Sequence, residues 1–191
     1  MRIILASKSP RRQELLSLMG LKFEVIPSLK DEDMTQHLKL NKLSESLAEQ
    51  KADDVFEQTS GNRVVIGSDT MVVVKGKLFG KPKNDKEAKQ MLKTLSGNWH
   101  KVITSLCVII EKDGKINKYL THDITKVKFL KLSDDIIDEY LKVGEHKDKA
   151  GAYAVQGKSG MFIEKINGSY ATVIGLPTHL LFQILHKENL I

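Results

Sequence analysis

Ile3-Ile4-Leu5-Ala6-Ser7-Lys8-Ser9-Pro10-Arg11-Arg12 is an apolar strand that runs through a small polar turn into the start of a helix. Ser9 suits the N-cap and Pro10 the first helical position, and the stripe Leu15, Leu16, Leu18, Met19 stops at Gly20. The first N–H groups of a helix have no intrahelical acceptor and sit at the positive end of its dipole, so an anion is favoured there. Two arginines in a first turn oppose that dipole. A merely solvated face would gain nothing from them, whereas a bound phosphate would, so Arg11 and Arg12 read as anion ligands.

Outward from this stretch, strands and helices alternate. Phe23–Ile26 reads as a second strand, followed by an acidic loop through Asp31-Glu32-Asp33. Ser46 and Glu49 at capping-box spacing predict a helix over 46–58 with Leu47, Ala48, Ala52, Val55 and Phe56 inward. Lys51 falls inside that stripe, where a lysine either snorkels to solvent or delivers its ammonium to a cleft, and the pattern alone leaves both open. Val64–Val74 reads as two apolar strand pieces broken by Gly67-Ser68-Asp69-Thr70. A carboxylate in a β-branched run is costly unless it is paired, hydrogen-bonded or metal-bound, so Asp69 is a functional candidate, and Gly67 permits a bulge or a close ligand. A hairpin through Lys75-Gly76 exits at Gly80-Lys81-Pro82, from which Lys81 would project.

Asn84 and Glu87 cap a helix that stops at Gly97, and Val102–Ile110 pairs through Asp113-Gly114 with 118–129 as a long antiparallel hairpin. His100, beside a strand start, is more often a local hydrogen-bonding residue than a ligand. Ser133 opens a helix that ends at Gly144, 151–157 reads as a small-residue strand, 161–174 as a hairpin, and Pro177 opens the last helix. No linker or repeat divides the chain. The fold expected is one domain over 1–191, a mixed twisted β-sheet with flanking helices in two lobes around a cleft.

The formal charge of +6, from 30 basic and 24 acidic residues, points to a polyanionic ligand. Lysines scattered over helices and hairpins, with only 6% aromatic residues, disfavour a nucleic-acid surface and suit a small phosphorylated molecule. Lys8 and two arginines follow the first apolar residues too soon for a signal peptide, and no run reaches membrane-spanning length, so a cytoplasmic location without membrane contact is expected. The single cysteine, Cys107, lies in an apolar strand pattern and reads as a buried structural thiol. Gly157-Lys158-Ser159 imitates the end of a P-loop, but the upstream glycine position is Ala152. No dinucleotide fingerprint, zinc-peptidase motif or nucleophile elbow occurs.

Several stretches, in this order and spacing, resemble the Maf nucleotide pyrophosphatases: Leu5–Arg12, Ile66–Thr70, Gly80–Pro82, Ser96–Val102, Asp148–Tyr153, Gln156-Gly157 and Val173–Pro177. The resemblance spans nearly the whole chain. It implies a fold like that of the inosine triphosphate pyrophosphatases, and hydrolysis of nucleoside triphosphates to the monophosphate and pyrophosphate with a Mg²⁺- or Mn²⁺-type cation. It places the catalytic carboxylate on Asp69 and other site residues on Ser7, Arg12, Glu32, Lys51 and Lys81. At three specificity positions, Arg11, Thr70 and Gln156, the chain resembles the dTTP- and UTP-preferring members. A homodimer is implied by the resemblance alone. Ser68 and Ser105 depart from the alanine and glycine common there.

In the mechanism this implies, the four basic side chains Arg11, Arg12, Lys51 and Lys81 and the helix N-terminus neutralise a triphosphate. Asp69 and Glu32 are hard oxygen ligands for the cation, and Asp69 deprotonates the water that attacks the α-phosphorus. Two other readings predict different outcomes. A non-catalytic nucleotide- or nucleic-acid-binding regulator of cell division would release no pyrophosphate, and a pyrophosphatase for non-canonical purine triphosphates would prefer ITP to dTTP.

Overall fold

The computed structural model describes residues 1–30 and 38–191. In chain order the elements are β1 (Arg2–Leu5), α1 (Pro10–Leu18), β2 (Glu24–Val25), α2 (Leu40–Glu57), β3 (Arg63–Val74), β4 (Lys77–Phe79), α3 (Asp85–Leu95), β5 (Trp99–Lys112), β6 (Lys115–Phe129), α4 (Asp134–Val143), β7 (Ile163–Asn167), α5 (Tyr170–Ile174) and α6 (Thr178–Lys187). The strands form one mixed sheet in the order β2-β1-β3-β5-β6-β7, with β4 antiparallel to β3. β1 runs parallel to both β2 and β3, pairing Leu5 with Val25 and with Ile66. This is the mixed α/β fold expected. The described residues cluster into two compact units, Met1–Asp69 with Thr104–Asp123 and Gly175–Ile191, and Thr70–Ile103 with Ile124–Ile174. β3, β5 and β6 each pass through both.

In the first unit, Ile4 of β1, Ala6 just after it, Val65 of β3 and Cys107 and Ile109 of β5 pack against Ala48, Ala52 and Val55 of α2. The alanines let the helix backbone lie directly on the strand. A Cβ at Gly67 would overlap the Ala48 carbonyl oxygen and stand 2.8 Å from the Ala52 nitrogen, so Gly67 serves the approach of a helix, not of a ligand. Burial pushes the Cys107 thiol up to about 12, as a structural cysteine requires. The second unit is built on Leu92 and Leu95 of α3, Val127 and Phe129 of β6, and Ile137 and Tyr140 of α4. Its helices start as their sequences indicate. Asn84 Oδ1 accepts from the Glu87 N–H at 2.9 Å, the Ser133 side chain accepts from the Ile136 N–H, and Gly144 ends α4 in the left-handed conformation.

Several expectations need correction. Val64–Val74 is one continuous strand, because Gly67 to Thr70 keep extended backbone. α2 begins at Leu40 rather than Ser46, with Lys39 at its N-cap position and no side-chain cap, so no capping signal marks its start. Residues 151–157 are not a strand. Asp148, Gly151 and Ala152 have φ of 61°, 69° and 63°, and left-handed backbone ends extended pairing. Of 161–174 only β7 is a strand. Ser169 Oγ accepts from the Thr172 N–H at 3.3 Å and opens α5, overriding the β-branched character of Thr172, Val173 and Ile174.

Candidate active site

The turn between β1 and α1 is held by its own side chains. Ser7 is buried, and its Oγ accepts from the Ser9 N–H at 3.2 Å and from Arg12 Nη1 at 3.1 Å. Ser9 occupies the N-cap position but its side chain makes no capping bond, and the first turn of α1 contains no acidic residue. The first backbone N–H groups of the helix are thus uncapped by the Ser9 side chain. Arg11 has no ion-pair partner among the described residues, and burial lowers its pKa. Arg12 turns the other way, giving Nε to the Gly175 carbonyl at 2.8 Å.

That carbonyl joins the turn to β3. It also lies 2.9 Å from Ser68 Oγ, a fully buried hydroxyl that is equally 2.9 Å from the Ser105 carbonyl, so one proton serves two acceptors. The next residue is Asp69, 6% exposed in a strand whose buried Val64–Ile66 and Met71–Val74 stretches are apolar. Lys51 Nζ donates to Asp69 Oδ1 at 2.7 Å, with the two side chains 15% and 8% exposed. Of the two fates left open for Lys51, the structure takes delivery of the ammonium. Ser44 approaches the Asp69 carbonyl at 3.5 Å. Ser44, Ala48, Lys51 and Ala52 recur at helical spacing on the face of α2 that covers Gly67 to Asp69. Ser7, Arg12, Lys51 and Asp69 thus form one connected network within the first unit.

The second unit carries Thr70, Lys81 and Gln156. Thr70 follows Asp69 in β3 and its side chain leaves the opposite strand face. Lys81 is exposed beyond β4, and the residue before it is held by the Gly151 N–H on the Gly80 carbonyl at 3.0 Å. Pro82–Lys86 and His146–Asp148 line a cavity of about 540 Å³. Gln156 is exposed on the loop after the 150–152 turn. His100 is not exposed to a ligand. It is 3% exposed, bonds Tyr153 Oη through Nε2 at 2.7 Å, and burial pushes its pKa down to about 4.

Glu32, assigned to the metal, lies outside the described residues. The segment that leads to it is anchored by Asp54 of α2, which accepts from Ser28 Oγ at 2.7 Å and from the Leu29 N–H at 2.9 Å. Those bonds hold the Asp54 carboxyl below the usual range. Among the described residues no three His, Cys, Asp or Glu side chains gather as a dedicated metal cage. Asp69 has one oxygen on Lys51 and no hydrogen bond to the other among the described residues, and Mg²⁺-type ions take one or two carboxylates plus phosphate oxygens.

Sequence reasoning missed Ser44, Asp54 and the Gly175 carbonyl. Placing the helix start at 46 left Ser44 outside it, Asp54 carries no local motif, and a backbone carbonyl has no side-chain signature. Among the described residues no helix is long and apolar enough to cross a membrane.

Comparison with known proteins bears on the whole chain. The HAM1 protein of Coxiella burnetii shares the fold, with a TM-score of 0.50 at 16% identity over 98% of this chain and 99% of that one. The dTTP/UTP pyrophosphatase of Aquifex aeolicus is 47% identical over 191 residues, 100% of this chain and 97% of the relative. That of Desulforamulus reducens is 49% identical over 176 residues, 92% of this chain and 90% of the relative. The family model described as Maf-like protein matches residues 2–188. The family match over nearly the whole chain and the full-length kinship agree, and the chain belongs to the Maf family.

Proposed function

We propose that this chain is a nucleoside triphosphate pyrophosphatase that hydrolyses dTTP and UTP to the monophosphate and pyrophosphate, the whole chain acting as one catalytic domain. The observation that carries this reading is the buried Asp69 carboxylate, joined through Lys51, Ser68, Gly175 and Arg12 to an uncapped helix start. Its closely similar relatives are dTTP/UTP pyrophosphatases.

Arg12, Ser7, Lys51 and Lys81 hold the triphosphate. An ammonium has three donors, so Lys51 serves both Asp69 and a phosphate oxygen. Arg11, Thr70 and Gln156 read the base. Asp69 and Glu32 would hold a Mg²⁺- or Mn²⁺-type ion, which supplies charge neutralisation and a more acidic water. Asp69 takes a proton from the water whose oxygen bonds the α-phosphorus, and the bond from that phosphorus to the bridging oxygen breaks with its electrons leaving on pyrophosphate. Lys51, 2.7 Å from Asp69 Oδ1, holds that carboxylate in place. The proposal includes a homodimer and a cytoplasmic location, where free triphosphates are available.

Incubation with dTTP, UTP, ITP and Mg²⁺ tests this directly, with pyrophosphate expected most readily from the two pyrimidines. Asp69→Asn should lower kcat by roughly 10³-fold while nucleotide binding persists. Binding without pyrophosphate from any triphosphate, or near-normal turnover by Asp69→Asn, overturns the reading.

A further inference from the structure

Gln156 sits at the tip of a small closed loop. Ser159, fully buried, accepts the Ala154 N–H at 2.9 Å and donates to the Ala154 carbonyl at 3.0 Å. The Gly157 N–H donates to the Ala154 carbonyl at 3.1 Å, and the Gly160 N–H to the Gly157 carbonyl at 2.8 Å. Glu145 reaches this loop from the end of α4, launched by the left-handed turn at Gly144. Its Oε2 accepts from the Lys158 N–H at 2.8 Å.

The carboxylate also packs on the backbone of residue 157. A Cβ there would overlap Glu145 Oε2 and lie 3.1 Å from Cδ. Gly157 has φ −105°, a value open to any residue, so a side chain there would strain no backbone but would have to displace the Glu145 carboxylate. Glu145 forms no ion pair among the described residues, and the hydrogen bond found for it goes to the loop. A carboxylate accepting a backbone N–H is a strong, directional tether. α4 is itself fixed by the buried Ile137 and Tyr140.

We propose that Glu145 is a positioning residue for base selection: its carboxylate, bonded to the Lys158 N–H and seated on Gly157, sets the backbone that presents Gln156. This rests on the reading of Gln156 as a base-selecting residue. A residue that merely stabilised the second unit would change turnover of every triphosphate alike, whereas misplacing Gln156 changes the ratio between bases.

The test is the ratio of kcat/KM for dTTP to that for dGTP, measured with melting temperature for the wild type, Glu145→Ala, Glu145→Asp, Glu145→Gln and Gln156→Ala. The ratio should fall about tenfold in Glu145→Ala, Glu145→Asp and Gln156→Ala. Glu145→Gln, whose amide oxygen still accepts the Lys158 N–H, should keep it within about twofold. Should Glu145→Ala not fold, Glu145→Asp, which withdraws the acceptor by one methylene, carries the same expectation. A ratio unmoved by the Glu145 variants but lowered by Gln156→Ala overturns the positioning role alone. A ratio unmoved by Gln156→Ala overturns the reading of Gln156, and the role of Glu145 with it. A ratio as low in Glu145→Gln as in Glu145→Ala overturns the hydrogen bond as its cause.

Discussion

The Lys51–Asp69 pair is the contact on which the site turns. Both side chains are nearly buried at a separation of 2.7 Å, where water screens the pair little. Removing Lys51 leaves the Asp69 carboxylate buried without this ion pair. Lys51→Met should therefore cost about 3 kcal/mol of stability in urea unfolding, with a loss of kcat beyond any change in KM. An unchanged midpoint would show that Asp69 does not rely on Lys51. Asp69 was legible in the sequence because an acid among β-branched residues demands an explanation. The Gly175 carbonyl was not, since its role lies in accepting from Arg12 and Ser68 across long sequence separations. Ser68, adjacent to Asp69, has a buried hydroxyl placed between the Ser105 and Gly175 carbonyls.

Helix α2 lies on β3 through the gap that Gly67 leaves. That contact sets both Ser44 and Lys51 against Asp69. Gly67→Ala places a methyl group against the helix backbone, which cannot yield as a flexible side chain would, and should destabilise by about 3 kcal/mol or more with loss of turnover. Thermal stability and activity equal to wild type would contradict the packing described. Elements with capping side chains, such as α3 and α4, were readable, as was the long hairpin turned at Asp113-Gly114, where φ is 51° and 78°. α2 was misread at its start because Lys39 offers no cap, and α5 was read as part of a hairpin because Ser169 opens a helix of β-branched residues.

His100 of β5 adds a pH dependence. Burial depresses its pKa from the usual 6.5 to about 4, so below about pH 6.5 the unfolded chain binds a proton that the folded chain refuses. Stability falls as pH drops towards 4, by up to about 3 kcal/mol from this residue. His100→Gln should reduce the slope of unfolding free energy against pH, between about pH 6 and 4.5, by about 1.4 kcal/mol per unit. Identical slopes would contradict a histidine kept neutral by burial.

At the scale of the molecule, the alternation of strand and helix announced the α/β class, and the charge of +6 announced a polyanion. The division into two compact units leaves no linker in the sequence, because three strands run through both. Ser7, Arg12, Lys51 and Asp69 come together because β1, the start of α1, α2 and the first half of β3 belong to one unit. The proposed chemistry requires water to attack the α-phosphorus. Hydrolysis of dTTP in ¹⁸O-labelled water, followed by mass spectrometry of both products, tests that claim most directly. The account predicts one labelled oxygen in dTMP and none in pyrophosphate; label in the pyrophosphate would contradict it.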